Sequence, residues 1–325
     1  MRALVTGGTG FIGSHLVEAL IARGFEVSVL ARDPARLGWI AGRDVRVLTG
    51  DCTVPESLRG VTAGMDYVFH NAGLTRASIA EEYYRVNAEG TRNMLLATAA
   101  DAPGLRKFVY VSSQAAAGPS VKGRPRREED PARPVTDYGR SKLAGEAYAQ
   151  EFADRLPVVI VRPAAVYGPR DRDVYTFFKL VSRGIRTTFA DERMVSLCYV
   201  TDLVEGMILA AKGDTGPGEA FFMAHPDPCD WDYIGETIAG FIGVRPVRLV
   251  VPVPVLSVVA ALSEAFGAVT GKPALLNRQK MAEIKQRYWV ADTGKARDRL
   301  GFDAAHDFRS GAGLTVRWYK ENGWL

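Results

Sequence analysis

The sequence predicts an α/β fold: a doubly wound parallel sheet with a smaller, mostly helical C-terminal domain. Three observations predict it. Short apolar runs of strand type alternate with helix-period segments through the first half of the chain, as parallel strands joined by crossover helices require. A glycine-rich turn, Gly7, Gly10 and Gly13, lies between the first such run and the first helix. Beyond Asp173 the alternation ends, and Pro-rich joints ("HPDP", "VPVP") separate helical patterns at about 231–243, 254–270, 278–286 and 310–322. The expected division is 1–165 and 166–325, with about 196–212 returning to the sheet.

The elements follow in order. "RALVT" (2–6) is a short apolar strand. In 11–23, Ile12, Leu16 and Leu20, and beside them Val17 and Ile21, recur at spacings of four and predict a helix, stopped at Gly24. "FEVSVLA" (25–31) is the next strand. Residues 44–51 and 65–73 read as strand then turn, 81–100 as helix, 106–113 as strand, 138–153 as helix and 157–163 as strand. Ligands on such sheets sit at the carboxyl ends of the strands, where every motif below falls.

Composition narrows the function. A chain of 325 residues with 47% apolar residues can bury a large core. The formal net charge of +4 is too weak and dispersed to argue for nucleic acid, and suits a small anionic ligand. Cys52, Cys198 and Cys229 are odd in number and scattered, which predicts a reducing, cytoplasmic setting rather than a disulfide framework. No metal-ligand spacing links them to the four histidines. No secretory leader pattern and no spanning apolar run are evident.

The first turn has a physical reading. A pyrophosphate must approach the backbone closely, and a side chain at Gly7 or Gly10 would block it. Gly13 lets helix and strand lie together, and the free N–H groups of the helix face the anion. Tyr138 and Lys142 are four apart at a helix start and share a face. A free phenol titrates near ~10, and a neighbouring ammonium is expected to lower it into the range of a proton shuttle. Ser113, at a strand end, can donate to a substrate oxygen and stabilise developing charge.

Together these residues resemble the short-chain dehydrogenase/reductase superfamily, whose pattern is Thr-Gly-x-x-Gly-x-x-Gly with a Ser, Tyr, Lys triad. Residues 128–142 ("EEDPARPVTDYGRSK") are similar to its extended, epimerase/dehydratase-like branch, as are "HNAGLTRA", "YRVNAEGTRN" and "RPAAVYGPR". Thinner matches reach the C-terminus, and relatives include 3-beta-hydroxysteroid dehydrogenase-like and dihydroflavonol reductase-like enzymes. The resemblance implies a Rossmann-type fold and hydride transfer at a secondary alcohol or ketone carbon. It implies Ser113, Tyr138 and Lys142 as catalytic residues. It implies an NAD(P) site of Gly7, Gly10, Phe11, Ile12, Gly13, Arg32, Asp51, Cys52, Asn71, Ala72, Gly73, Asn87, Tyr138, Lys142, Pro163 and Val166, with no metal. It also implies a homodimer through the helices of 87–100 and 138–153. Plain structural readings stand beside these: His70 and Asn87 as packing or loop-bonding residues, and Asp51 as a turn cap weighed equally with an adenine contact.

The end of the second strand bears on the cofactor. A carboxylate there binds the ribose hydroxyls of NAD. Here Ala31 is followed by Arg32, with Arg36 nearby, so NADP is expected over NAD unless Asp33 turns inward. Ala117 stands where many sugar-nucleotide epimerases have Tyr, and "FADERMVSLCYV" replaces their Gly-Asp-Gly stretch; both weaken the case for a nucleotide sugar. The outcome stays open between epimerisation or dehydration, for example of a nucleotide sugar, and ketone reduction or alcohol oxidation on a lipophilic substrate. A non-catalytic dinucleotide sensor or assembly factor is the alternative of another class. The apolar stretch 249–271 is expected in the core or the pocket wall, with a membrane interface as the alternative.

Overall fold

The computed structural model describes residues 1–270 and 277–325, with side chains described as far as Glu264 and again from Asn277. The sheet elements and their crossovers are β1 (Arg2–Thr6), α1 (Phe11–Ala22), β2 (Glu26–Ala31), β3 (Arg46–Thr49), β4 (Tyr67–His70), α2 (Gly90–Asp101), β5 (Lys107–Val111), α3 (Asp137–Glu151), β6 (Val158–Pro163), α4 (Val200–Lys212) and β7 (Glu219–Met223). The strands form one sheet in the order β3-β2-β1-β4-β5-β6-β7. Every neighbouring pair is parallel. The chain winds one way from β1 to β3 and the other way from β4 onward. The crevice at the carboxyl ends of β1 and β4, where Thr6 pairs with His70, is the switch point where such sheets hold ligands.

Strand periodicity builds two cores. Val5, Val29, Val109 and Val161 face one side and meet Leu16 and Leu20 of α1 and Leu203 and Met207 of α4. Their neighbours Leu4, Leu30, Phe108 and Ile160 face the other side and meet Met94, Leu95, Ala149 and Phe152. Both faces are covered, which is why the strands read as continuous apolar runs. Residues 200–223 thus lie in the sheet layer, and β7 is a strand that the sequence pattern does not announce.

The remaining elements include α5 (Trp231–Ile242), α6 (Val253–Thr270), a short helix Arg278–Ile284 and α7 (Phe308–Glu321). Ile234 and Ile238 of α5 and Phe308 and Val316 of α7 share a third core with Tyr167, Phe178 and Tyr199. A two-stranded parallel ribbon, Ile185–Thr188 with Val247–Val250, leads into α6. Of the two places expected for the apolar stretch 249–271, the core and the pocket wall, the core is excluded for its outward residues. Val255, Val258, Val259 and Leu262 are exposed, while Ala260 is buried; Gly271 lies outside the described residues. Among the described residues no helix is long and apolar enough to cross a membrane. No His, Cys, Asp and Glu cluster among them could hold a metal. The three cysteines are free and buried.

Candidate active site

The glycine turn forms a cradle. Gly7 has φ +69, and a Cβ there would lie 2.9 Å from the Ala72 backbone, so the turn after β1 packs directly on the Asn71–Ala72 peptide. A Cβ on Gly13 would fall 2.0 Å from the Gly7 carbonyl oxygen, so helix and turn touch backbone to backbone. Gly10 differs: its nearest contact is 3.4 Å away. It is the N-cap of α1 and brings no side chain to the first N–H groups, among them those of the half-buried Phe11 and Ile12. An uncapped helix N-terminus beside open space fits a dinucleotide pyrophosphate.

The proton-handling residues gather at the ends of β5 and α3. Thr136 caps α3, accepting from the Gly139 N–H at 3.1 Å. A Cβ on Gly139 would lie 2.4 Å from the Ala115 carbonyl, and one on Gly145 2.2 Å from the Tyr110 hydroxyl. These two glycines therefore let α3 lie against the strand-end turn that carries Ser113. Tyr138, half-buried, reaches the Ser113 hydroxyl from the first turn of α3. Burial pushes the Tyr138 phenol up to about 12, and the hydrogen bond with Ser113 opposes that rise. The expected lowering by Lys142 is not what the geometry gives. The Lys142 ammonium donates to the Val111 carbonyl at 2.6 Å and sits 4.8 Å above the Tyr110 ring. Burial lowers its own pKa to about 8, against the pull of Glu146. The phenol is therefore held neutral, in the form that donates a proton.

Lys142 also faces the loop after β4, since a Cβ on Gly73 would lie 3.4 Å from its Nζ and 3.2 Å from Asn87 Oδ1. Asn87 sits in a π-helical turn, Tyr84–Glu89, that precedes α2, a distortion often found at functional sites. Its Oδ1 accepts from the Leu74 N–H at 2.7 Å, and its Nδ2 donates to the Leu74 carbonyl and to Ser141 Oγ, each at 3.0 Å. It clamps the loop of Asn71, Ala72 and Gly73 to α3, in line with its loop-bonding reading.

His70 is structural. Thr91 donates to the Asn87 carbonyl, so its oxygen accepts from His70 Nε2 at 3.1 Å. His70 Nδ1 then accepts from Thr6 Oγ1 at 2.9 Å, and Thr6 accepts from the Ala72 N–H. Burial, with the Lys142 charge behind it, holds the His70 pKa down to about 3. The unfolded chain takes this proton near pH ~6.5. Between pH 6.5 and 3 the unfolded state therefore binds more protons, and stability falls as pH drops, by up to about 1.4 kcal/mol per unit. Urea midpoints from pH 7 to pH 5 are expected to fall less steeply in His70→Asn than in the unaltered protein; equal slopes contradict the assignment.

The other candidates divide. Arg32 is exposed and forms no ion pair among the described residues, and its charge reaches Cys52. Asp33 is turned to the Ala35 N–H at 3.0 Å and toward Arg36 at 3.6 Å. Asp51 Oδ1 accepts from the N–H and hydroxyl of Thr53 at 2.8 and 2.9 Å, which makes it a turn cap. Cys52 is buried, and its carbonyl accepts from Asn93 at 2.9 Å. Pro163 ends β6, with Val166 three residues beyond.

Sequence reasoning missed Glu146, the third residue after Tyr138 and Lys142 in an i, i+4, i+8 row on α3. Its carboxylate accepts from Ser112 at 2.5 Å and from Arg162 at 2.9 and 2.6 Å, all buried. Ser112 is thereby occupied, whereas the Ser113 hydroxyl accepts from the Ala115 N–H at 3.1 Å and bonds Tyr138.

Comparison with known proteins places this geometry. The family profile described as "NAD dependent epimerase/dehydratase family" matches residues 3–224. A ceramide reductase of Caulobacter vibrioides is 31% identical over 99% of this chain and 95% of its own. A 3 beta-hydroxysteroid dehydrogenase/Delta 5-->4-isomerase of Mycobacterium tuberculosis is 29% identical over 93% and 86%. The solved UDP-glucose 4-epimerase of Thermus thermophilus, in complex with NAD, superposes with a TM-score of 0.78 at 26% identity over 98% and 99%. The family profile covers more than half of the chain, and the relatives and the solved fold agree with it: the chain belongs to the NAD dependent epimerase/dehydratase family.

Proposed function

We propose that the protein is an NADP-dependent reductase of a ketone on a lipophilic molecule. The observation that carries it is the half-buried, neutral Tyr138 phenol bonded to Ser113, one helical turn before Lys142 on α3. When bound, the nicotinamide supplies the hydride. Ser113 and Tyr138 hold the substrate oxygen, and Tyr138 gives its proton to that oxygen as the alcohol forms. Lys142, fixed by the Val111 carbonyl, would hold the nicotinamide ribose.

Two features support the finer reading. The ceramide and steroid relatives act on lipophilic molecules by name. Three arginines of the C-terminal half are already paired: Arg186 with Glu236 at 2.6 Å, and Arg193 and Arg287 with Asp191 at 3.0 and 2.7 Å. A nucleotide-sugar diphosphate would need such cations free. The epimerase reading rests on the likeness to the UDP-glucose 4-epimerase structure. NADPH oxidation with long-chain ketones, against interconversion of UDP-sugars, separates the two; turnover of UDP-sugars alone overturns the proposal.

Arg32 supports NADP. Its unpaired guanidinium matches a 2′-phosphate, and charge-assisted bonds of about 1.5–3 kcal/mol correspond to roughly 10–100-fold in affinity. Arg32→Asp is expected to weaken NADPH binding by that factor and leave NADH binding equal or better, read by cofactor fluorescence. Equal dissociation constants for NADP and NAD in the unaltered protein contradict the assignment.

A further inference from the structure

Among the described residues, eight of the seventeen exposed large apolar side chains lie in two short segments joined in space: Ile185 on one, and Val247, Leu249, Val250, Val255, Val258, Val259 and Leu262 on the other. The pattern is ordered. Val255, Val258, Val259 and Leu262 stand at i, i+3, i+4 and i+7 of α6, the stripe that normally faces a core, yet they are 52%, 61%, 47% and 66% exposed. Val247 and Leu249 share one face of their strand, and Ile185 is the register partner of Val247. The ribbon runs through Pro252 directly into α6, so the two exposed sets are adjacent in the chain.

Charge accompanies it. Between residues 245 and 287 the sequence holds seven Lys or Arg against two Glu, a net +5, whereas the entire chain is +4. The basic excess that looks dispersed in the composition is concentrated in this segment. Arg248, Arg278, Lys280 and Arg287 are paired with Asp232, Glu264, Glu283 and Asp191, while Arg245 at the ribbon's entrance and Lys285 are exposed and form no ion pair among the described residues. An outward apolar stripe beside basic residues has the physical character of an interfacial helix, and among the described residues no helix is long and apolar enough to cross a membrane.

The patch also adjoins the site. In the helix Arg278–Ile284, Gln279 accepts from the Asp137 N–H at 2.8 Å and donates to its carboxylate at 2.5 Å, one residue before Tyr138. Glu283 of the same helix acts electrostatically on the Tyr138 phenol.

We propose that the ribbon and α6 form a docking face for an anionic phospholipid bilayer, with the α6 stripe seated among the headgroups. The lipophilic-substrate reading explains why this face adjoins Tyr138, and the proposal rests on it only there. The test is flotation of the full chain with vesicles of phosphatidylcholine alone or with a minor share of phosphatidylglycerol, at low and high salt and without substrate. Expected is binding to the anionic vesicles that weakens with salt. The triple variant Val255→Ser, Val258→Ser, Leu262→Ser should weaken it about tenfold or more and leave NADPH fluorescence unchanged. Should that variant fail to fold, Arg245→Glu is expected to lower affinity for anionic vesicles by about tenfold, with binding to neutral ones unchanged. Absence of vesicle binding, or binding indifferent to these changes, overturns the proposal. A dimer that the triple variant splits, with vesicles ignored, also overturns it and assigns the face to a second copy. Ketone turnover is measured separately in solution, so the failure of either reading leaves the other standing.

Discussion

Tyr138→Phe is expected to lower kcat for ketone reduction by about 10²–10⁴-fold, the usual worth of a positioned proton donor, with the NADPH dissociation constant unchanged. The substitution removes one oxygen and keeps the ring, so its packing 6.1 Å from the Tyr83 ring survives. In the proposed site the glycine cradle and Lys142 would keep most of the cofactor contacts. What is lost is the proton that must reach the carbonyl oxygen while the hydride reaches its carbon. Ser113 can still bond that oxygen, which is why a residual rate is expected. Stopped-flow oxidation of NADPH gives kcat, and fluorescence titration gives the affinity. An unchanged kcat would assign the proton to another group.

Gly13→Ala is expected to reduce cofactor affinity by about 100-fold or more, the value of losing one or two charge-assisted contacts. The added Cβ would meet the Gly7 carbonyl oxygen at 2.0 Å, its carbon at 2.7 Å and Gly8 Cα at 2.8 Å. All three are backbone atoms, so α1 must move away from the turn. Overpacking of this kind costs about 1–3 kcal/mol of stability as well. Gly10→Ala separates the two effects. Its Cβ clears the protein, with 3.4 Å to the nearest atom, but enters the space before the α1 N-terminus. Gly10→Ala should melt with the unaltered protein and still bind NADPH poorly. Normal NADPH affinity in both variants would remove the cradle from the account.

The parts of the fold legible in the sequence are those whose cause is local. The run from β1 through the glycines to α1 carries its whole logic within some twenty residues, and the Tyr138 and Lys142 spacing needs only one helix. β7 escaped because "EAFFM" is short and follows a Pro- and Gly-containing turn. Glu146 escaped because its meaning depends on Arg162, a strand away in space. Removing one member of such a buried pair typically costs about 3–5 kcal/mol, yet neither residue announces the other in sequence. The outward side of α6 was illegible for a different reason. A helix apolar nearly all round tells nothing of which side meets solvent, and only the exposure of Val255 to Leu262 decides it. The direction of the Tyr138 shift was also illegible. Spacing puts an ammonium near the phenol, but the three-dimensional path takes Lys142 Nζ to the Val111 carbonyl and lets burial prevail.

The central claim is that a dinucleotide lies across the β1/β4 crevice and that Tyr138 protonates the oxygen of the carbon being reduced. Single-turnover reduction of a long-chain ketone with NADPH deuterated at the transferable position tests it most directly. The account predicts one deuterium on the carbinol carbon, formed rapidly in the unaltered protein and about 10²–10⁴-fold more slowly in Tyr138→Phe. Label that never reaches the carbinol carbon, or transfer at the same rate in both proteins, contradicts it.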